Sequence, residues 1–290
     1  MELHNKAVAI ANLIRMGYHK TLLKYIADDW QNHQKQFSLH ALTSVGSKDL
    51  PCYESGLNFD VGGKIFMSCH YGSYPHVINS IAQKAKDRTI YVIVGSESDS
   101  LKNALTSCAQ NANFSINFID GGFGLLKRIK RAVEDHYPLF VEIDVPWGAN
   151  DECNVTFPFV GGEIKAKDAL FRLIERLGIE KNFVLSSCGD NSISVINYGD
   201  LSQSQCFQVF SDHVQNSPHQ YERLFQMHNY FKPKTLPNAV VHWKGAQSQY
   251  VIHTSDMKAW AVKHDLFEST HIETDVSKLI NRNVDYVISI

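Results

Sequence analysis

Gly63-Lys64-Ile65-Phe66-Met67-Ser68-Cys69-His70-Tyr71-Gly72-Ser73-Tyr74-Pro75-His76 is the stretch on which the reading of this chain turns. Lys64 to Cys69 form a short, mostly apolar run of strand type, and Ser73 to about Lys86 read as the helix after it. Ser73 is a plausible helix cap, and Pro75 suits a first helical turn, where its missing N–H costs nothing. His70 is thereby placed at the carboxyl end of a strand, just ahead of a helix amino terminus. In open α/β sheets ligands gather at this edge, and the helix end offers unpaired N–H groups to a developing negative charge. His70 is therefore a candidate general base, set against the commoner structural role of a lone histidine.

From residue 63 onward strands and helices alternate. The strand 64–69 leads to the helix 73–86, and β-branched Thr89 to Val94 leads to a helix from Ser98 or Ser100 to about Gln110. Phe114 to Ile119 leads, through Gly121-Gly122-Phe123-Gly124, to a basic helix at 125–135. Leu139 to Ile143 ends at Asp144. This order predicts an α/β domain, a central mixed sheet with helices on both sides. After a loop, Lys167 to Leu177 read as a helix stopped by Gly178. The runs 183–187 and 193–198 flank Gly189-Asp190-Asn191-Ser192, a hairpin turn by composition. Residues 203–215 and 218–231 look helical until Pro233 and Pro237 break the pattern. The remainder has strand-like runs at 239–243, 249–253 and 285–290, separated by helical runs at 256–265 and 275–283. Upstream, residues 6–35 show helical spacing and 36–62 are irregular. The expected organisation is one α/β domain over 1–235, amino-terminal helices included, and an α/β extension over 236–290 that either joins the same sheet or stands as an appendage.

A chain of 290 residues has ample core for such a domain. Its net charge of −2 gives no electrostatic reason to expect nucleic acid or an anionic membrane as partner. The six cysteines are scattered without a CxxC, which predicts buried free thiols in a reducing cytosol. Among fourteen histidines there is no HExxH, and the close pair His70 and His76 lacks an obvious third ligand, so no metal is expected. The longest amino-terminal apolar run, Ala7 to Ile14, is interrupted by Asn12 and too short to span a bilayer. A soluble, cytoplasmic protein without a transmembrane segment is expected, with a peripheral membrane contact left open.

Five ordered segments between Gly63 and Lys232 resemble the late acyltransferases of lipid A synthesis, bacterial members of the lysophospholipid acyltransferase-like superfamily. His70-Tyr71-Gly72-Ser73-Tyr74 is similar to the family's His-x-Gly-Asn-Trp block. Glu142-Ile143-Asp144-Val145-Pro146-Trp147-Gly148 resembles its Asp-Gln-x-x-Gly segment, and Phe157-Pro158-Phe159-Val160-Gly161 its Pro-Phe-Phe-Gly. The helix ending Arg176-Leu177-Gly178 follows in place, and Pro218-His219-Gln220-Tyr221 matches a Pro-Glu-Gln-Tyr. The resemblance implies acyl transfer from a thioester, on acyl carrier protein or coenzyme A, to a hydroxyl or amine. It implies no bound cofactor, with an acyl-phosphopantetheine thioester as co-substrate. In the family a histidine, separated by four residues from an acid, takes the acceptor's proton while the carboxylate holds the imidazole tautomer.

Three departures stand out. The acidic position is Pro75, so another acid must support His70. Asp144 is the first candidate, because its strand should end on the same sheet edge. Glu142 lies on the same side of that strand by its period of two, and Glu97 and Asp99 come next. Asp144 reads equally as a loop-capping acid. The helix Glu222 to His228 keeps only Arg223 of an expected basic cluster, which weakens a bidentate phosphate clamp. The family's amino-terminal membrane anchor is also missing. The expected acceptor is therefore a small molecule or peptide bearing an amine or hydroxyl. A lipid A or glycolipid tailoring enzyme, moving an acyl or aminoacyl group, and a non-catalytic carrier-binding relative stay open.

Further expectations concern binding. Backbone N–H groups near Gly72 and Ser73 would stabilise a tetrahedral oxyanion. Trp147, Phe157 and Phe159 would line an apolar tunnel for the acyl chain. Lys127, Arg128, Lys130 and Arg131 form either a solvated helix face or a dock for acidic acyl carrier protein. Gly121 to Gly124 read as a strand-to-helix turn or an approach for a pantetheine phosphate. Lys165 and Lys167 read as surface lysines or acceptor contacts. Cys69 faces away from His70 on the strand, which makes a cysteine nucleophile the minor reading.

Overall fold

The computed structural model describes residues 2–38, 51–95, 99–122, 124–144, 154–189, 191–244, 248–263 and 284–290. In chain order, α1 (Glu2–Arg15) and α2 (Leu23–Phe37) precede strands β1 (Cys52–Ser55) and β2 (Ile65–Ser68). Then come α3 (Tyr74–Ala82), β3 (Thr89–Val94), α4 (Asp99–Asn111), β4 (Ser115–Asp120), α5 (Leu125–Glu134) and β5 (Leu139–Glu142). They are followed by β6 (Asn154–Phe159), β7 (Gly162–Lys167), α6 (Ala169–Leu177), β8 (Lys181–Cys188), β9 (Ile193–Asn197) and α7 (Gln203–Asn216). Two 3-10 segments, Pro218–Gln220 and Glu222–Asn229, lead to β10 (Phe231–Pro233), β11 (Ala239–Lys244), β12 (Ser248–His253), β13 (Ala259–Lys263) and β14 (Tyr286–Ser289). Among the described residues no helix is long and apolar enough to cross a membrane.

The large sheet has the order β1-β9-β8-β2-β5-β3-β4. Strands β8, β2, β5, β3 and β4 run parallel, β9 turns back against β8, and β1 runs parallel to β9. The sheet is thus mixed and flanked by helices, as the strand–helix alternation predicts. β2 sits inside it and is buried along its whole length. That explains its mostly apolar run, since a parallel strand covered on both faces has no solvent side. On one face Phe66, Ile90, Val92, Phe140 and Val184 pack against Val77, Ile78 and Ile81 of α3. The predicted turn at Gly189 to Ser192 does join an antiparallel pair, β8 and β9.

The chain divides into two units. One comprises Met1–Asn32, Pro158–Ile164 and Arg223–Ile290, and the other His33–Phe157 and Lys165–Glu222. This corrects the expected boundary at 235, because the amino-terminal helix belongs with the carboxyl-terminal strands. In the first unit α1 packs on β11 and β12, with Ile10, Leu13, Val240, Val241, Val251 and Ile252 all buried. Those strands form the sheet β13-β12-β11-β14. An amphipathic helix needs an apolar sheet face, and the partner it finds here lies at the other end of the chain. Arg15 adds a bond from Nη1 to the carbonyl of Thr254, 2.8 Å.

Three local expectations also change. Residues 259–263 form a strand instead of a helix, paired with β12, while 275–283 lie outside the described residues. Residues 218–229 form 3-10 turns, not one helix. The segment around Pro158 is the hairpin β6–β7, although a proline within a run argues against a central strand. It is tolerated because β6 is the outer strand of the small sheet β10-β7-β6.

Candidate active site

β2 and β5 are parallel neighbours with Ser68 opposite Glu142. Both strands end at the same sheet edge, so two residues further on His70 comes level with Asp144. Within the large sheet the strand that follows β2 is β3, beyond β5, and the one that follows β5 is β8, beyond β2. The carboxyl ends of the strands are the edge at which α/β sheets hold ligands. His70 Nδ1 lies 2.9 Å from Asp144 Oδ1, and the His70 main-chain N–H donates to the same oxygen at 3.2 Å. His70 Nε2 lies 2.7 Å from Glu142 Oε2. The side chains of His70, Asp144 and Glu142 are 3%, 0% and 14% exposed. The structure therefore brings together the three residues named from the sequence.

Both ring nitrogens face a carboxylate oxygen, so both hydrogen bonds need a proton. Nδ1–H donates to Asp144, and one further proton is shared between Nε2 and Glu142. The ring is held in orientation by Asp144, as an acid partner holds an imidazole in acyl-transfer sites. Glu142 Oε2 occupies the position that a nucleophile's oxygen or nitrogen would take against Nε2.

The loop carrying His70 is pinned at every backbone polar group from His70 to Ser73. Besides the His70 N–H, the His70 carbonyl accepts from Glu222 N at 2.8 Å. Tyr71 N–H donates to the Cys69 carbonyl at 2.6 Å, and Gly72 N–H to the Gln220 carbonyl at 2.9 Å. Ser186 Oγ accepts from Ser73 N at 2.7 Å and donates to the Tyr71 carbonyl at 3.2 Å. His33 Nε2 meets the Gly72 carbonyl at 3.0 Å, and His76 N donates to the Ser73 carbonyl at 3.0 Å. Gly72 has φ +64, and a Cβ there would clash with the Ser186 carbonyl, so only glycine fits. Burial, reinforced by neighbouring His219, lowers the His33 pKa to about 4, against a smaller upward pull from the Gly72 carbonyl. His33 is therefore neutral, and its Nε2–H donates.

These bonds correct the oxyanion expectation. The N–H groups of Gly72 and Ser73 are both committed within the protein and do not face a substrate. Ser73 does stand at the helix N-cap, with Pro75 in the first turn, but its Oγ bonds His76 Nδ1 at 2.7 Å instead of capping. Burial also lowers the pKa of His76.

The remaining candidates scatter. Trp147 and Glu97 lie outside the described residues. Phe157 is stacked on Phe207 of α7, centroids 4.7 Å apart, and Phe159 packs edge-on against Phe231 in the first unit. Asp99 is exposed at the start of α4. On α5, Ile129 and Ala132 face inward while Lys127, Lys130 and Arg131 are exposed. Arg128 is turned back instead, donating from Nη2 to the Asp120 carbonyl at 2.6 Å. The preceding Gly122 and Gly124 take positive φ, with open space where a Cβ would stand. Lys165 is exposed, and Lys167 lends its carbonyl to Gln203. Arg223 bonds Gln226. Cys69 is fully buried, and burial together with nearby Asp144 and Glu142 pushes its thiol well up, which suppresses the thiolate. Cys52, Cys69, Cys108, Cys188 and Cys206 are free thiols, although Cys52 is exposed rather than buried. Among the described residues no cluster of His, Cys, Asp and Glu is arranged to hold a metal ion.

Sequence reasoning missed His33, Ser186 and the Gln220 carbonyl as supports of the His70 loop. Gln220 lies in the Pro218–Tyr221 segment that the resemblance singles out. His33 and Ser186 carry no such signal. No protein-family model matches the chain, and no curated protein matches it in sequence.

Proposed function

We propose that this chain is an acyltransferase, moving an acyl group from a pantetheine thioester to an amine or hydroxyl acceptor. The observation that carries the reading is Asp144 Oδ1, which receives both the Nδ1 side of His70 and its main-chain N–H. That arrangement supplies the histidine–carboxylate pair whose usual acid is absent at Pro75, and so supports the likeness to lipid A late acyltransferases. In the reaction, Glu142 leaves Nε2 and takes the shared proton with it, and the acceptor occupies its place. His70 Nε2 accepts the acceptor's proton as its oxygen or nitrogen attacks the carbonyl carbon. The C–S bond breaks, and the proton passes from His70 to the departing sulfur. Asp144 holds the tautomer throughout. An acidic acyl carrier protein would deliver the donor to the exposed Lys127, Lys130 and Arg131 of α5, in the cytoplasm.

The test is thioester turnover by the purified protein with acyl carrier protein and small pantetheine donors. His70→Ala should abolish it and Asp144→Asn should lower kcat by about 10⁴-fold, the cost of a wrong tautomer in a related arrangement. Undiminished turnover in both variants rejects the reading. Charge reversal at Lys127 and Arg131 should raise KM for the carrier-bound donor and leave a small thioester unaffected.

A second reading is a non-catalytic relative that binds a carrier or acyl chain. It is favoured by one observation: Nε2 is engaged by Glu142 and the ring is almost fully buried. Tight binding of acyl-pantetheine without any His70-dependent turnover would select it.

A further inference from the structure

Glu142 is the member of the site that the proton-transfer scheme leaves unexplained. Its Oε2 is bonded to His70, while its Oε1 is buried and has no hydrogen-bond partner among the described residues. Its ion pair among the described residues is with His70. A buried carboxylate oxygen without a donor is costly, and a site that keeps one is suited to a ligand that brings the donor.

Charge counting narrows the ligand. With Nδ1–H donating to Asp144, a single proton lies between Nε2 and Glu142. If it rests on the ring, the site holds two carboxylates and one imidazolium. If it rests on Glu142, the site holds one carboxylate, a neutral ring and a neutral acid. Either way the three groups carry one net negative charge, in a place largely closed to water. An anionic pocket of this kind favours a cationic ligand over a neutral one. An alcohol brings a single donor and no charge. A primary ammonium brings positive charge and three donors, enough for Glu142 Oε1 with protons to spare for the reaction.

We infer that Glu142 selects the acceptor, and that the acceptor is a primary amine bound as its ammonium through Glu142 Oε1. The inference rests on the acyltransferase reading for its chemistry, but the cation site stands on its own geometry. In the transfer, the proton shared by Nε2 and Glu142 leaves to solvent, and the ammonium passes one of its own protons to Glu142 in its place. The neutral nitrogen then attacks the thioester carbon, the C–N bond forms and the C–S bond breaks. The second proton goes to His70 and on to the sulfur, leaving an amide, a thiol and one released proton. The product class is therefore an N-acyl compound, not an ester.

The decisive experiment titrates full-length protein, isotopically labelled at histidine, with n-butylammonium chloride and separately with n-butanol. The His70 ring signals are followed by NMR and assigned by their loss in His70→Gln. The ammonium should shift the His70 ring in a saturable manner and bind at least tenfold tighter than the alcohol. Glu142→Gln, which keeps the shape and removes the charge, should weaken the ammonium at least tenfold and leave the alcohol unchanged. Equal binding of the two probes, an unresponsive ring, or an unaffected Glu142→Gln overturns the inference. Should that variant not fold, the wild-type comparison of the two probes decides alone. Thioester consumption measured beside it keeps the two ideas apart. Turnover that needs His70 but shows no ammonium preference leaves the transferase and removes the amine. Ammonium binding without His70-dependent turnover does the reverse.

Discussion

The buried His33 offers a stability measurement whose size follows from the structure. In the unfolded chain its imidazole titrates near 6.5, whereas in the folded protein burial and neighbouring His219 hold it at about 4. Between those values only the unfolded chain takes up the proton. The contribution of neutral His33 is therefore complete above pH 6.5, declines as the pH falls, and is exhausted near pH 4. The fall from 6.5 to about 4, at about 1.4 kcal/mol for each pH unit, amounts to about 3 kcal/mol. His76, His213 and His228 are also lowered by burial and add slope of the same sign, so the wild-type curve alone does not isolate His33. His33→Gln does, because the amide still donates to the Gly72 carbonyl and cannot titrate. Urea unfolding across the range from pH 7 to pH 4 should show wild type losing about 3 kcal/mol more than the variant. Parallel curves would mean that the folded protein does not hold this ring neutral against acid, and the account of the Gly72 anchor would fail with it.

Other expectations concern the same loop. Gly72→Ala sets a side chain against the Ser186 carbonyl at φ +64 and should destabilise by more than about 2 kcal/mol, read from the urea midpoint. A value under half of that would show that the loop can move aside. Ser186→Ala leaves the buried Ser73 N–H and Tyr71 carbonyl without their partner and should cost about 2–4 kcal/mol. It should also speed amide exchange at Ser73, and unchanged exchange would contradict the anchoring role. Cys69 should resist alkylation at mildly alkaline pH until the protein is unfolded, because its thiol is buried and pushed well up. Labelling of native Cys69 as fast as a free thiol would refute its placement.

Much of the larger unit was legible along the chain. Alternating strand and helix periods announced the sheet, the mostly apolar run 64–69 announced a strand, and the position of His70 at its end was readable from Ser73 and Pro75. These are local properties, because a period of two or of 3.6 residues is written within a dozen positions. Partnership is not local. That β5 inserts beside β2, bringing Asp144 level with an imidazole 74 residues earlier, depends on strand order and register, which the burial of the whole sheet decides. The sequence could nominate Asp144 and Glu142 as acids near that edge but could not say that both would reach the ring. The committed amides of Gly72 and Ser73, the anchors His33 and Ser186, and the union of α1 with β11 and β12 are likewise tertiary facts. Each joins groups from distant segments that come together only when the buried backbone must find its hydrogen bonds and an apolar face its cover.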